Sequence, residues 1–332
     1  MADIQVTKDA IITPDGYSLT SNADGILFTG KVLATGGLVL PPPPMAGTVS
    51  GYASGGYELS GFSDTIDKFP FAIDANATDV GDLTQARSLV AGQSSSENGY
   101  TSGGRVPPSV NTIDKFPFAT DSNATDVGNL TQGRYRAAGQ SSNENGYTSG
   151  GEPSGFEPPV NTIDKFPFAT DANATDVGDL TQARYGPAGQ SSSENGYTSG
   201  GGAPTVNTID KFPFATDANA TDVGDLTQAR YFAAGQSSSE NGYTCGGFAP
   251  PYVNTIDKFP FATDANATDV GDLTQARNGP VGQSSSENGY TSGGFAPPIV
   301  NTIDKFPFAT DSNATDVGDL SQARRSAAGQ QD

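Results

Sequence analysis

An Asp-rich segment that recurs six times carries the side chains best suited to bind a cation. Its first copy runs from Asp74 to Asp82 and places oxygen-bearing side chains at positions 1, 3, 5 and 9, a spacing typical of loops that bind calcium. Position 6, however, is Asp79 instead of the turn-forming Gly of calcium loops. An Asx turn, in which Asp and Asn cap their own backbone, accounts for the same residues and is the favoured interpretation. Calcium binding stays open for two copies of the segment: Asp74, Asn76 and Asp82, and Asp171, Asn173 and Asp179.

Residue types that carry out catalysis give no specific signal. The chain has no His to activate its one Cys, and Cys245 stands where other copies have Ser, such as Ser199, so a catalytic thiol is not expected. Carboxylates are abundant, but each recurs in equivalent settings, whereas glycosidases need one pair of carboxyl groups with different pKa values. The recurrent Lys and Arg are expected to pair with neighbouring Asp. The sequence therefore predicts a protein that is not an enzyme and needs no cofactor, apart from the calcium alternative.

The charge balance excludes two classes of partner. The 332 residues include 17 Lys and Arg against 37 Asp and Glu, a formal net charge of -20. Phosphate contacts depend on clustered cationic side chains, so a nucleic-acid partner is not expected. No apolar run approaches the roughly 20 residues that a membrane helix needs, so membrane insertion is not expected either. The chain begins without the basic and apolar regions of a secretory signal, which predicts synthesis in a cytoplasm.

One octapeptide, Thr-Ile-Asp-Lys-Phe-Pro-Phe-Ala, recurs with only small changes at intervals of 46 to 50 residues. Its Ile stands at Ile66, Ile113, Ile163, Ile209, Ile256 and Ile303. Such a period is typical of propellers or of paired-helix arrays. Gly, Pro, Asn, Asp, Ser and Thr dominate, and no segment has the apolar spacing of a helix. The repeat is therefore expected to be built from strands.

Each repeat divides into four strand candidates. In the fifth copy they are Tyr231–Gln236, Tyr243–Cys245, Val253–Phe261 and Val270–Leu273, with Asn241-Gly242 as the expected hairpin turn between the first two. Four antiparallel strands repeated six times predict an all-β fold, a six-bladed β-propeller of four-stranded blades spanning residues 45–332.

The repeat resembles the kelch family of propellers. The shared features are paired glycines after the second strand (Gly246-Gly247), an aromatic third strand, an Asp-containing turn, and an Arg before the next first strand (Arg230). The resemblance covers roughly residues 47–330. Kelch repeats carry a Trp in the fourth strand, whereas this chain has Val270 and Leu273 there, so the packing between blades is expected to differ.

The two ends of the repeat array are complementary. The chain stops after the first strand of a further unit, at Ala327 to Asp332, and the first unit begins at its second strand, near Gly51. This predicts that the C-terminal strand completes the N-terminal blade and closes the ring. In an alternative alignment, residues 45–47 supply the missing first strand.

Residues 1–44 lie outside the repeat and are expected to form a β-rich attachment arm. Short β-like runs, Ile4–Val6, Ala10–Ile12, Ile26–Phe28, Val32–Leu33 and Leu38–Leu40, precede a Pro spacer at Pro41 to Pro44. Since so short a segment scarcely buries a core alone, we expect it to pair with copies of itself, in a homo-oligomer, or with a partner.

Most differences between the six copies fall in two places, after the Arg and after the Gly-Gly pair, and both are expected on one face of the propeller. Aromatic and Arg side chains there are typical anchors of recognition, and apolar ring faces suit sugars. The alternative is neutral drift in loops. The predicted ligand-binding residues of this variable face are Tyr135, Arg136, Phe156, Tyr185, Tyr231, Phe232, Phe248, Tyr252 and Phe295.

Near-identical repeats rich in Asp-Lys-Phe-Pro-Phe and Gly-Gln-Ser-Ser-Ser resemble repeat proteins of marine cyanobacterial tailed phages, and the segment Leu19–Leu27 resembles the opening of such virion proteins. The resemblance implies a structural or binding component of the particle, such as a tail fibre, spike or capsid decoration. It would attach to other virion proteins through the arm and contact a host-surface glycan. The alternatives are a cellular kelch-like interaction scaffold and, third, a carbohydrate-active enzyme.

Overall fold

A computed structural model describes residues 11–12, 18–22, 25–27, 47–154 and 157–332. The chain divides into two units, Met1–Pro41 and Pro42–Asp332. In the first, Ile11–Ile12, Ser18–Asn22 and Gly25–Leu27 form a three-stranded antiparallel sheet. The arm's other expected β runs lie, wholly or in part, outside the described residues.

The second unit is a six-bladed β-propeller, as predicted. Six antiparallel sheets each contain four strands, which we label a to d from the axis outwards. None of the described residues forms a helix that is long and apolar enough to cross a membrane. Strands a to d of blade 1 are Ala328–Gln331, Ser50–Glu58, Gly61–Pro70 and Thr78–Asp82. Those of blade 2 are Ala91–Ser94, Asn98–Ser102, Thr112–Pro117 and Thr125–Asn129. Those of blade 3 are Ala138–Ser141, Asn145–Ser149, Thr162–Pro167 and Thr175–Asp179.

The remaining three blades repeat this pattern. Strands a to d of blade 4 are Ala188–Ser191, Asn195–Ser199, Thr208–Pro213 and Thr221–Asp225. Those of blade 5 are Ala234–Ser237, Asn241–Cys245, Thr255–Pro260 and Thr268–Asp272. Those of blade 6 are Val281–Ser284, Asn288–Ser292, Thr302–Pro307 and Thr315–Asp319. A short pair, Arg134–Tyr135 with Glu152–Pro153, lies beside blade 3.

The C-terminal strand closes the ring, as the repeat ends predicted. Strand a of blade 1 pairs antiparallel with strand b, and Ala328 lies opposite Ser54. The alternative alignment is wrong, because Gly47 bridges Ser285 of blade 6 instead of entering blade 1. Closure thereby pairs the inner edge of strand b in blade 1.

The hairpin between strands a and b differs from the prediction. Asn241 and Gly242 belong to strand b, and the turn is made by Ser238, Ser239 and Glu240. The Ser238 hydroxyl accepts a hydrogen bond from the Asn241 backbone N–H, at 2.9 Å. Gly242 is needed for another reason, since a Cβ there would lie 2.3 Å from the Phe259 ring of strand c.

The axis is lined by six glycines that bring neighbouring a strands into backbone contact. A Cβ on Gly189 would lie 2.2 Å from the carbonyl oxygen of Gly139 in the preceding blade, and the other five positions are equivalent. The next residue of each a strand is a buried Gln. Gln190 Nε2 donates to Tyr243 O and Thr244 Oγ1 of the following blade, at 2.9 and 3.0 Å. Both contacts require the same Gly-Gln dipeptide in every copy.

Aromatic rings stack between neighbouring blades. The buried Tyr of each strand b stacks on the Phe that follows strand c of the next blade, as Tyr100 does on Phe168 with ring centroids 4.7 Å apart. Tyr290 on Phe71 completes the circle between blades 6 and 1. Within each blade, Ile and Leu residues such as Ile209 and Leu226 are fully buried. Each interface between blades therefore contains a stacked Tyr–Phe pair.

Buried ion pairs also join the blades. The Arg184 guanidinium lies 2.6 Å from the Asp210 carboxylate, and neither side chain is exposed to solvent. Thr181, from the same linker as Arg184, donates to Asp210 from its backbone N–H and its hydroxyl. Burial lowers the pKa of Arg184, and the Asp210 charge opposes that shift. All six interfaces have this arrangement.

Candidate recognition face

The two variable segments meet in every blade at one face, which we call the variable face. The residue after the Arg pairs through the backbone with the segment after the Gly-Gly pair, as Tyr231 does with Phe248. The two invariant turns meet elsewhere, where Phe118 N donates to Glu97 O. Sequence differences between the copies therefore collect on one side of the ring.

A closed ring of backbone hydrogen bonds surrounds the axis at the variable face. The second residue after each Arg donates its N–H to the carbonyl of its counterpart in the preceding linker, at 2.7 to 2.8 Å. All six residues have a left-handed backbone, with φ of 56 to 63°. We call this set the mouth ring: Leu89, Arg136, Gly186, Phe232, Gly279 and Ser326. The backbone is thus the same in every copy while the side chain differs.

Most of the residues predicted to bind a ligand form one continuous belt. Ring contacts with centroids 5.0 to 6.0 Å apart connect Tyr185, Phe232, Tyr231, Phe248, Tyr252 and Phe295 in turn. The Arg136 guanidinium lies over Tyr135 and Tyr185, 5.0 and 5.1 Å from their centroids. Eight of the nine predicted residues are therefore brought together and half-buried, and Phe156 lies outside the described residues.

The structure adds residues that sequence reasoning left out. Arg325 extends the belt, 5.2 Å from the Phe295 ring and 5.7 Å from the Tyr57 ring, and Arg105 extends its other end at Tyr135. Both occupy the same variable positions as the predicted residues, so position in the repeat would have found them. They are absent from the predicted set because that set consists mainly of aromatic side chains.

A cavity of about 400 Å³ opens at the mouth ring. Three Arg side chains and several apolar ones contribute to its wall. Two buried atoms of lining residues, Arg136 Nε and Asn278 Oδ1, have no hydrogen-bond partner among the described residues. The lining residues are Tyr57, Phe62, Ser88, Leu89, Arg105, Arg136, Phe232, Asn278, Gly279, Arg325 and Ser326.

Partial burial affects ionisation in the belt. It raises the pKa of Tyr135, with the Glu152 charge acting in the same direction, and it also raises the pKa of Tyr231. These hydroxyls stay protonated at neutral pH and can donate and accept hydrogen bonds.

In the Asp-rich turns, for which the sequence allows calcium binding, the side-chain oxygens form contacts with the neighbouring blade. Asp74 forms an ion pair with Lys305 of blade 6, and Asn76 Oδ1 accepts from the Asp319 backbone N–H at 3.1 Å. Burial and the neighbouring Asp64 and Asp79 charges raise the pKa of Asp82. In the third copy, Lys115 pairs with Asp171.

The third copy of the turn forms the same kind of contacts between blades. Asn173 Oδ1 accepts from the Asn129 N–H at 3.0 Å, and the Asp179 carbonyl accepts from Ala220 N at 2.8 Å. No group of three or more acidic or Cys side chains suited to a metal ion occurs among the described residues. The turns thus join blades, and calcium binding stays a prediction.

Cys245 is fully buried, as is Ser199 at the equivalent position. Its thiol donates to Gln236 Oε1 at 3.0 Å, the bond that Ser199 makes with Gln190. Burial raises the pKa of the Cys245 thiol, which disfavours the reactive thiolate.

Comparisons with known proteins add no family to this description. No protein-family model matches the chain, and no curated protein matches it.

Proposed function

We propose that this protein is a non-enzymatic component of a phage particle that presents the variable face of its propeller to a host-surface glycan. The observation that carries the proposal is the continuous belt of aromatic and Arg side chains on the face where most of the differences between the copies lie. Aromatic and Arg side chains dominate binding energy at interfaces, and aromatic rings stack on the apolar faces of sugars.

The recurrent acids support a binding role over catalysis. The six buried Asp carboxylates, such as Asp210 and Asp257, accept hydrogen bonds and each pairs with an Arg. A carboxyl group that is buried and held in this way is not accessible to a substrate. The exposed turn Asp residues, such as Asp217, pair with Lys. This use of the acids argues against the carbohydrate-active enzyme.

The placement in a virion rests on the resemblance of the repeats to those of cyanobacterial phage proteins. In the kelch-like alternative, a cellular scaffold would use the same face for a protein partner. The left-handed Gly246-Gly247 pair and Arg230, buried in the blade interface, are the kelch features that support this alternative.

The belt can be tested with full-length protein and host cells. Alanine at Tyr231 and Phe232 together should weaken binding to cyanobacterial cells, or to polysaccharide purified from them, by about tenfold or more, because two central rings of the belt are removed. The measurement is binding of labelled protein over a concentration series.

The matched control replaces two exposed residues of an invariant turn, Ser239 and Glu240, by alanine. Equal binding by both double variants would contradict the proposed face. Immunogold electron microscopy of purified particles tests the virion placement, and particles without label would contradict it.

A further inference from the structure

The cationic side chains of the propeller are distributed unevenly. Each of its six described Lys residues pairs with an Asp of the next blade's turn, as Lys165 does with Asp217. Six Arg residues are buried against Asp between blades. The three other described Arg residues, Arg105, Arg136 and Arg325, all line the cavity at the mouth ring. In a chain of net charge -20, this cavity is where unburied Arg side chains concentrate.

Stacking holds these guanidinium groups over aromatic rings. The Arg136 guanidinium forms an ion pair with the Glu152 carboxylate at 2.7 Å, which compensates part of its positive charge. Within the part of the chain that the structure describes, no carboxylate lies within ion-pair distance of the Arg105 or Arg325 side chain. Stacking on a ring face leaves the N–H groups at the edge of a guanidinium available to an oxyanion.

We propose that the cavity binds the anionic group of an acidic sugar residue. Arg105 and Arg325 donate to its carboxylate or sulfate, and the apolar wall formed by Leu89 and Phe232 contacts the sugar ring. This proposal rests on the proposed glycan-binding function and specifies the chemistry of the ligand.

The charges and dimensions favour a single acidic residue. A volume of about 400 Å³ lies in the range of small-ligand sites. A polyanion would also meet the acidic remainder of the chain, which repels it.

Matched probes test the proposal by titration calorimetry on the full-length chain. The acidic probes are 3′-sialyllactose, digalacturonate and 3′-sulfolactose, and the neutral counterparts are lactose and galactobiose. At least one acidic probe should bind about tenfold or more tightly than its neutral counterpart, because charge-assisted hydrogen bonds are the stronger ones. Comparison of the carboxylate probes with the sulfate probe identifies the anionic group that the cavity binds. Titration with inorganic sulfate shows whether the anion alone is sufficient for binding.

The variant Arg105→Gln/Arg325→Gln should lose this preference for the acidic probe and keep the wild-type melting temperature. The matched control Lys165→Gln/Lys211→Gln removes the same charge from exposed pairs on the turns and should keep the preference. If every acidic probe binds no better than its neutral counterpart, or if the Arg variant keeps the preference, the proposal is overturned. If host-cell binding is lost in the alanine variant of Tyr231 and Phe232 but unchanged in the Arg105→Gln/Arg325→Gln variant, the proposed function is retained. This cavity is then rejected as the binding site.

Discussion

At the residue scale, the mouth ring combines an invariant backbone with variable side chains. Four of its six left-handed positions carry Leu89, Arg136, Phe232 and Ser326 instead of Gly, with φ of 56 to 60°. The left-handed region is unfavourable for an L-residue by about 1 kcal/mol or more relative to Gly. Backbone outliers of this kind cluster at functional sites. Side chains kept there despite that cost are consistent with a recognition role.

Reciprocal substitutions test this cost directly. Ser326→Gly should raise the free energy of unfolding by about 0.5 to 1 kcal/mol, and Gly279→Ala should lower it by about 1 kcal/mol. Both residues belong to the mouth ring and differ little in size from their replacements. Urea denaturation followed by circular dichroism measures both changes.

Leu59→Ala, at an exposed site outside the mouth ring, serves as the control and should leave stability within about 0.5 kcal/mol. If Ser326→Gly destabilises the protein, the left-handed backbone carries no penalty there, and the stability argument for selection at the mouth ring fails.

At the element scale, each blade interface contains two ion pairs that differ in burial. Arg184–Asp210 is fully buried, whereas in Lys165–Asp217 the Asp side chain is 58% exposed. Removing one partner of a buried pair leaves an uncompensated charge, which is costly, while solvent screens an exposed pair.

Asp210→Asn should therefore lower the free energy of unfolding by about 3 to 5 kcal/mol. Asp217→Asn, in the same interface, should lower it by about 1 kcal/mol or less. Thermal and urea denaturation of the two variants under identical conditions make the comparison. Equal losses in the two variants would contradict the assigned difference in burial.

The strands and the closure could be predicted because they depend on local patterns and on the ends of the repeat. The partners of Arg184 and Lys165 could not, because every copy carries the same Asp residues and one sequence does not reveal which blade supplies them. Gly242 was misassigned to a turn because its need arises from Phe259 on another strand. The mouth ring was missed because Leu89 and Phe232 give no sign of a left-handed backbone.

At the scale of the whole molecule, six buried tyrosines link stability to alkaline pH. Burial raises the pKa of five of them to about 12: Tyr100, Tyr147, Tyr197, Tyr243 and Tyr290. The pKa of Tyr52 is also raised, mainly by burial. Their positions between blades make the effect common to every interface.

The expected result is unfolding at alkaline pH. The pKa of an unfolded Tyr is about 10, so above that pH the unfolded chain binds fewer protons than the native chain, and stability falls as pH rises. The contribution is complete below pH 10 and is lost as pH approaches about 12. Tyrosinate absorbance and circular dichroism recorded on the same samples should change together for these residues.

If the six buried tyrosines ionise near pH 10 while the circular dichroism stays native, their assigned burial is contradicted.

The contacts between glycines at the axis also limit the changes in repeat number that the fold accommodates. Near-identical repeats favour unequal recombination, which adds or removes whole copies. The a strands already touch backbone to backbone, since a Cβ on Gly235 would lie 2.1 Å from the Gly189 carbonyl oxygen. A five-copy ring would press these backbones together, and a seven-copy ring would separate them and break the Gln contacts. The fold therefore accommodates products of recombination that have six copies. Exchange between copies can still redistribute the side chains of the variable face.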